Sequence, residues 1–167
     1  MKPTFKAQPM QVQVPATSAN LGPGFDCLGL ALNMHDRYMA QVMDEAGVDI
    51  DVTGEGADAV PTTDKNLVIK AMYKGFDFLG GRPRGIALRQ LNVIPHGRGL
   101  GSSAAAIVGG LALARALVLG GNERMSHEDM LNIANEMEGH PDNVAAAIYG
   151  SANIAWQESH RGSVVAQ

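Results

Sequence analysis

The sequence contains very little cysteine, few aromatic residues and no excess of positive charge. Cys27 is its one cysteine, so no disulfide can form within these 167 residues, and a reducing, cytoplasmic location is the simplest expectation. Lysine and arginine number 13 against 17 aspartates and glutamates, a net charge of -4, which argues against a nucleic-acid partner. The first ten residues, MKPTFKAQPM, lack the apolar stretch that a secretory signal peptide requires.

Long apolar runs are also missing. The most apolar segment, residues 104–119, is rich in alanine and glycine and is interrupted by Arg115. It is too short and too weakly apolar for a transmembrane helix, so we expect a buried helix and no membrane association. With 46% hydrophobic and 18% charged residues, the chain can still bury a core. Its length suits one domain, or one domain and part of another.

Alternating and helical patterns of apolar residues predict a chain that mixes strands with helices. Strands are predicted at residues 11–14, 27–34, 37–43, 47–53, 85–95 and 152–156, and residues 164–167 predict the start of another. Helices are predicted at residues 64–80, 104–119, 126–139 and 141–150, the third of them opened by a capping box and closed by a glycine. Residues 15–26, PATSANLGPGFD, are full of turn formers and predict a loop.

The segment PHGRGLGSSAAA, residues 95–106, is here called the glycine–serine segment. A strand leads into it and a helix opens at about Ser102, so backbone N–H groups and the positive end of a helix dipole should face any bound ligand. Phosphate suits such a site, and we expect the absent side chain at Gly101 to leave room for it. The segment lacks the lysine of a Walker A motif and the third glycine of a dinucleotide fingerprint. A tight turn before a closely packed helix of small residues is the structural alternative.

Three segments together carry a resemblance to a known family. They are PATSANLGPGFDCLGLAL (residues 15–32), the glycine–serine segment, and EGHPDNVAAAIYG (residues 138–150). In this order they resemble the GHMP small-molecule kinases, and the run Asn-Leu-Gly-x-Gly-Phe-Asp in the first is typical of the homoserine kinase branch. The resemblance implies an α+β fold, a two-layer sandwich of a mixed sheet and packed helices with a left-handed βαβ unit. It implies phosphorylation of L-homoserine with ATP and Mg²⁺, a step toward threonine, and it allows a homodimer.

The resemblance also implies which residues hold Mg²⁺ and ATP. Ser103 and Glu138 match the metal ligands, which suits a hard cation that prefers oxygen. The alternatives are a helix N-cap for Ser102 or Ser103 and a solvated carboxylate at a helix end for Glu138. Asn66 matches a region on the adenine side, although an N-terminal helix position explains it equally well. The segment implied to bind the phosphates comprises Pro95, His96, Gly97, Arg98, Gly99, Leu100, Gly101, Ser102, Ser103, Ala104 and Ala105.

Four residues match positions that bind homoserine in the family. Asp26 would pair with the substrate ammonium, and Asn20, His140 and Asn143 would orient the substrate and its hydroxyl. Each also has a structural alternative, such as a turn residue for Asn20. Asp142, together with Glu138, is a candidate for direct participation in the reaction, because an aspartate at this position can act as general base in the wider superfamily. The homoserine branch is thought to need no dedicated base, so we expect Asp142 to stabilise a helix N-terminus instead.

Enzymes of this family are considerably longer than this chain. Their C-terminal domain carries a third glycine-rich motif and the arginines that bind the substrate carboxylate. We therefore expect residues 1–167 to be the N-terminal, ATP-binding domain of a homoserine kinase, ending near or just past the domain boundary. Two alternatives are another small-molecule kinase of the superfamily and a half-domain that binds nucleotide without catalysis.

Overall fold

Strands and helices are mixed along the whole chain of the computed structural model, which describes residues 2–158 and 162–166. The side chains of Asn20 and of residues 162–166 lie outside this description. The strands are β1 (Met10–Leu21), β2 (Gly24–Met43), β3 (Gly47–Gly54), β4 (Gly85–Asn92), β5 (Ala152–Glu158) and β6 (Gly162–Ala166). The helices are α1 (Leu67–Phe78), α2 (Ser102–Leu117), α3 (Gly121–Arg124), α4 (His127–Glu138) and α5 (Pro141–Tyr149).

The strands form one mixed sheet of six strands. Its order is β3-β4-β2-β5-β6, with β1 paired to β2. Only β3 and β4 pair in parallel among the described strands, and α1 connects them, so β3, α1 and β4 form a βαβ unit. The remaining pairs are antiparallel. The predicted α+β class with a mixed sheet is confirmed.

Helices cover one face of this sheet, which gives the predicted two layers. In β2 and β4, Tyr38 and Leu88 are buried beneath the helices, whereas Met39 and Leu91 lie on the opposite face and are partly exposed. This alternation follows from the two-residue period of a strand. No helix in the part of the chain that the structure describes is long and apolar enough to cross a membrane.

Small residues let α1 and α2 pack closely. A Cβ atom added at Gly110 would lie 2.4 Å from the carbonyl oxygen of Val68, and one at Gly75 would lie 2.8 Å from the Cβ of Ala114. Small residues of α2 such as Gly110 and Ala114 are therefore required by helix packing. The helix that follows the glycine–serine segment is thus closely packed and built of small residues, as the structural alternative describes.

The N-terminal region departs most from its prediction. Residues 15–26, expected to form a loop, belong largely to a β-hairpin in which β1 runs to Leu21 and β2 begins at Gly24. Only Gly22 and Pro23 form the turn, and pairs such as Ser18 with Leu30 continue the ladder on either side. Tertiary pairing overrides the local preference of turn-forming residues here. The two strands predicted at 27–34 and 37–43 are likewise one continuous strand, β2.

The helix boundaries agree well with the sequence patterns. Ser126 caps α4 in a complete capping box with Asp129, and Gly139 ends the helix in the left-handed conformation. Helix α1 buries Val68, Met72 and Phe76 on one stripe, which continues to Leu79 just past its end and agrees with the helix predicted at residues 64–80. The short helix α3 was not predicted, because four residues are too few to show a helical period.

Candidate functional site

The glycine–serine segment forms the predicted strand–loop–helix connection between β4 and α2. Gly97, Gly99 and Gly101 all adopt left-handed backbone conformations, with φ of 65°, 71° and 66°. The first hydrogen bond into the helix runs from the Ala105 amide to the Gly101 carbonyl oxygen, at 2.9 Å. The amides of residues 101–104 therefore have no partner within the helix and face its open N-terminus. This arrangement suits an anionic ligand.

The two alanines of this segment are less available than the sequence suggested. The side chains of Ala104 and Ala105 are buried in the core, and the Ala105 amide already donates within the helix. Although the resemblance includes Ala105 in the phosphate-binding segment, its amide is therefore not open to a ligand. Of the two alanines, only Ala104 has a backbone amide that is free of the helix and faces its open N-terminus.

The hydroxyl of Ser103 donates a hydrogen bond to Glu138 Oε1, at 2.6 Å. This contact joins the first turn of α2 to the last residue of α4. Neither serine caps α2, because Gly101 is the N-cap residue and no side chain caps it, so the N-cap alternative for Ser102 and Ser103 is wrong. Glu138 is not simply a solvated carboxylate, since it is half-buried and bonded to Ser103.

Gly101 is needed for a different reason from the one expected. A Cβ atom at this position would lie 2.0 Å from Thr17 Oγ1 and 3.1 Å from Asn143 Oδ1. It would project into the contact between β1 and α5 rather than toward a ligand, so that expectation is wrong. At Gly97 and Gly99, an added Cβ would meet no described atom within 4 Å, and these two glycines border open space.

Two cavities meet at Ser102 and Ser103. The glycine cleft, of about 410 Å³, is lined by Ala19, Gly97, Gly99, Leu100, Gly101, Ser102, Ser103, Glu138 and Asn143. The Asn66 cavity, of about 330 Å³, includes the same two serines together with Val60, Pro61, Lys65, Asn66 and His96. Ligand sites in proteins commonly have volumes of this order. The pair of cavities offers one polar compartment beside the helix N-terminus and one more apolar compartment next to it.

Asn66 lies in the wall of the Asn66 cavity, but its polar side-chain atoms are already hydrogen-bonded within the protein. Its Oδ1 accepts the amides of Val68, at 2.9 Å, and Ile69, at 3.4 Å, which makes Asn66 the N-cap of α1. Its Nδ2 donates to the Pro61 carbonyl oxygen and to Gln90 Oε1. The helix-position alternative is therefore confirmed. A contact between Asn66 and an adenine ring stays a prediction. Because the polar atoms of Asn66 are already hydrogen-bonded, that contact would be van der Waals packing of the ring against the cavity wall.

The first turn of α5 brings Asp142 and Asn143 next to β1. Asn143 lines the glycine cleft, and its Oδ1 accepts a hydrogen bond from the Thr17 hydroxyl at 2.7 Å. Asp142 is only 1% exposed; its Oδ1 accepts the Asn143 amide at 2.7 Å, and its Oδ2 has no partner among the described residues. His140 Nδ1 lies 3.9 Å from Asp142 Oδ1, and the His140 side chain is about half exposed.

Gly29 sets the position of that turn. A Cβ atom at Gly29 would lie 2.2 Å from the carbonyl oxygen of Asp142, so α5 can lie this close to β2 only because the side chain is absent. Sequence analysis missed both Gly29 and Thr17. A glycine within a strand, which often marks a close backbone approach, could have identified Gly29. No local signal identifies Thr17, since its partners lie far along the chain.

The other two predicted substrate residues lie on the hairpin. Asp26 is exposed and has φ of 55°, a left-handed conformation that aspartate adopts more readily than most residues. It lines neither the glycine cleft nor the Asn66 cavity. Asn20 is part of β1, and its side chain is outside the described part of the structure.

The candidate metal ligands are one carboxylate and one hydroxyl. No group of three or more histidine, cysteine, aspartate or glutamate side chains is placed to hold a metal ion in residues 2–158 and 162–166. Mg²⁺ is usually held in proteins by one or two carboxylates, with phosphate oxygens and waters as its other ligands. The oxygen pair of Ser103 and Glu138, beside a helix N-terminus that suits phosphate, fits such an ion.

Comparison with known proteins gives a consistent result. The family model described as the GHMP kinases N-terminal domain matches residues 66–151. Homoserine kinase of Streptomyces coelicolor is 50% identical over 157 residues, covering 94% of this chain and 50% of that protein. Homoserine kinase of Mycobacterium tuberculosis is 47% identical over 150 residues, covering 89% of this chain and 47% of that protein. The chain thus spans about half the length of the curated relatives it matches.

Solved structures show the same fold. A homoserine kinase from Cytophaga hutchinsonii superposes with a TM-score of 0.81 at 32% identity, covering 98% of this chain and 52% of that one. A mevalonate kinase from Methanococcus jannaschii superposes with a TM-score of 0.67 at 14% identity, covering 89% of this chain and 53% of that one. The second similarity concerns the fold alone.

Proposed function

Because this chain belongs to the GHMP kinases, whose N-terminal domain it carries, we propose that the whole protein transfers the γ-phosphoryl group of ATP to the hydroxyl of L-homoserine. The observation that carries the proposal is the contact between Ser103 and Glu138 beside the open N-terminus of α2. Phosphoryl transfer depends mainly on positioning and on stabilising charge. The outward-facing amides can supply these to the phosphates directly, and the Ser103 hydroxyl and Glu138 carboxylate can do so by holding Mg²⁺.

We expect each of the two cavities to bind one part of the nucleotide. In the proposed arrangement, the phosphates lie in the glycine cleft, against the amides of residues 101–104 and the open faces of Gly97 and Gly99. The adenosine lies in the Asn66 cavity, which shares Ser102 and Ser103 with the cleft. Mg²⁺, when bound to Glu138 and Ser103, would offset the negative charge of the phosphates.

The acceptor lies on the side of the cleft formed by α5 and the hairpin. Asn143 lines the cleft, while His140 and Asp26 present exposed polar side chains on the adjoining elements. A carboxylate at Asp26 suits the substrate ammonium, and the amide and imidazole can orient the hydroxyl. Asn20 is included from the sequence pattern alone. A cytoplasmic location and a homodimer stay predictions of the sequence.

Turnover provides the direct test of this function. We expect a chimera, in which this chain replaces the matching half of the Streptomyces coelicolor relative, to release ADP in the presence of L-homoserine. Mevalonate serves as the control acceptor, because mevalonate kinases share this fold at low identity. Coupled ADP assays and mass spectrometry of the product give the readout. Equal or greater turnover of mevalonate would contradict the homoserine assignment, and ATP binding to a folded chimera without turnover of either would support the non-catalytic alternative.

Asp142 provides a second test, of mechanism. We expect Asp142→Asn in the same chimera to keep at least about a tenth of the turnover, since the carboxylate is buried, bonded to the next amide and absent from the lining of the cleft. Removal of a general base typically costs about 10²–10⁴-fold. A loss in that range, with unchanged circular dichroism and substrate affinity, would make Asp142 a catalytic residue.

A further inference from the structure

A buried carboxylate lies where the chain leaves the sheet toward the glycine–serine segment. Asp36, in the middle of β2, is 1% exposed. Its Oδ1 accepts two backbone amides, from Val93 at 2.6 Å and Ile94 at 2.8 Å. Its Oδ2 accepts the hydroxyl of Tyr38 at 2.8 Å. Neither the sequence pattern nor the proposed reaction assigns a role to this residue.

The two amides are those that the sheet can no longer pair. The ladder between β2 and β4 ends at the pair Arg37 with Leu91, so Val93 and Ile94 lie beyond it. Pro95, the first residue of the glycine–serine segment, follows directly. A buried amide such as that of Ile94 needs an acceptor, and Asp36 supplies one oxygen for it and for the partly buried amide of Val93. It thereby fixes the direction in which the chain departs from β4.

Tyr38 completes the cluster as a permanent donor. Burial, together with the neighbouring Asp36, raises the pKa of the Tyr38 phenol far above its usual range, so the hydroxyl stays protonated. Its ring packs against Gly109 of α2, where an added Cβ would lie 2.3 Å from the ring. The hydroxyl that contacts Asp36 is therefore itself kept in place by the packing of the Tyr38 ring against α2.

The loop of the glycine–serine segment that precedes α2, residues 95–101, is anchored at its two ends. The Leu100 carbonyl oxygen accepts the Thr17 amide at 3.0 Å, which ties the end of the loop to β1. Asp36 ties its beginning to β2. Between these points, Gly97 and Gly99 border open space. The course of the glycines, and hence the position of their amides, depends on these two anchors.

We propose that Asp36 is a positioning residue for phosphate binding, acting through the Val93 and Ile94 amides on the geometry of the glycine–serine segment. This inference rests on the proposed function, because it assumes that the segment binds the phosphates of ATP. Asp36 also contributes to the wall of the Asn66 cavity, but both its carboxylate oxygens are already bonded. Its effect should therefore fall on the phosphates and not on the adenosine.

The test compares Mg·ATP with adenosine, by calorimetry on this chain and its variants. Tyr38→Phe is the matched control, since it removes a hydroxyl from the same cluster but keeps the hydrogen bonds that the two amides donate to Asp36. Asp36→Val in the Tyr38→Phe background removes the carboxylate that accepts the two amides. Because the Tyr38 hydroxyl is absent from this background, no buried hydroxyl is left unpaired. Asp36→Asn keeps an oxygen that can accept both amides. Thermal unfolding of each variant verifies that it is folded at the temperature of the titration.

We expect Tyr38→Phe and Asp36→Asn to keep the ratio of ATP affinity to adenosine affinity within about threefold of the wild-type ratio. The Asp36→Val/Tyr38→Phe variant should lower that ratio about tenfold, which corresponds to the loss of about one well-placed hydrogen-bonded contact. Its affinity for adenosine should change by less than about twofold. If this double variant does not fold, Asp36→Ser in the same background, whose shorter side chain cannot reach both amides, carries the same expectation.

Other outcomes would reject the inference, either alone or together with the proposed function. Equal losses of ATP and adenosine affinity, or an unchanged ratio, would show that Asp36 only supports the fold and would overturn the inference. If the wild-type chain binds both ligands but binds ATP no more tightly than adenosine, the phosphate site itself is wrong. The proposed function and the inference would then both be rejected, which distinguishes that result from a failure of the inference alone.

Discussion

Replacing Glu138 by glutamine should lower turnover of the chimera about 100-fold while leaving homoserine affinity within about threefold. The substitution keeps the size of the side chain and an oxygen that can accept from Ser103, but it removes the charge offered to Mg²⁺. Altering even the residues that orient metal ligands costs about 10–100-fold, and the loss of a ligand charge belongs at the upper end of that range. Steady-state kinetics with varied Mg²⁺ concentration measures the effect.

Two serine variants serve as controls for this result. Ser103→Ala removes the hydroxyl that contacts Glu138 and should reduce turnover, whereas Ser102→Ala removes a hydroxyl without that contact and should do less. Higher Mg²⁺ should partly restore Glu138→Gln. If Glu138→Gln instead loses activity and thermal stability together, with no dependence on Mg²⁺, the residue joins α2 to α4 and has no role in metal binding.

Gly101→Ala should destabilise the chain far more than Gly99→Ala, although both glycines have nearly the same left-handed conformation. The backbone strain is common to both variants and costs about 1–2 kcal/mol. At Gly101 the new Cβ would also lie 2.0 Å from Thr17 Oγ1, and the bond from Thr17 to Asn143 would have to give way. Disrupting a buried hydrogen bond adds about 1–3 kcal/mol. Urea unfolding of the chain measures the difference.

Nucleotide binding separates the roles of the same two glycines. Because an added Cβ at Gly99 meets no described atom, Gly99→Ala should lower Mg·ATP affinity more than the small loss of stability would suggest. Gly101→Ala should also displace Asn143. Its Mg·ATP affinity is measured at a temperature at which the variant is folded. Equal losses of stability in the two variants would contradict the inward direction assigned to Gly101.

Much of the secondary structure follows from local sequence. The boundaries of α4 are specified within a few residues by Ser126, Asp129 and Gly139, because a capping box and a left-handed glycine satisfy the free backbone groups at each helix end. The stripe of α1 and the alternation in β3 are equally local. The strand, glycines and helix of residues 91–117 can likewise be predicted from their order along the chain.

The hairpin of β1 and β2 could not be predicted in this way. Its residues favour turns, and only pairing with the partner strand and burial of side chains such as Thr17 make them extended. Similarly, the sequence predicts phosphate near residues 97–103 through a pattern and a family resemblance, but it does not show which glycine faces the ligand.

The sequence by itself determined the four longer helices, most of the strands outside the hairpin and the family, because caps, periodicity and glycine motifs are local properties of the chain. Only the tertiary structure decided that Ser103 contacts Glu138, 35 positions away, that Gly101 faces Thr17, and that Asp36 holds the amides of Val93 and Ile94. The direction of a side chain depends on how distant elements pack together. Residues that share a site are therefore brought together by the core and the sheet, whose long-range contacts no local pattern records.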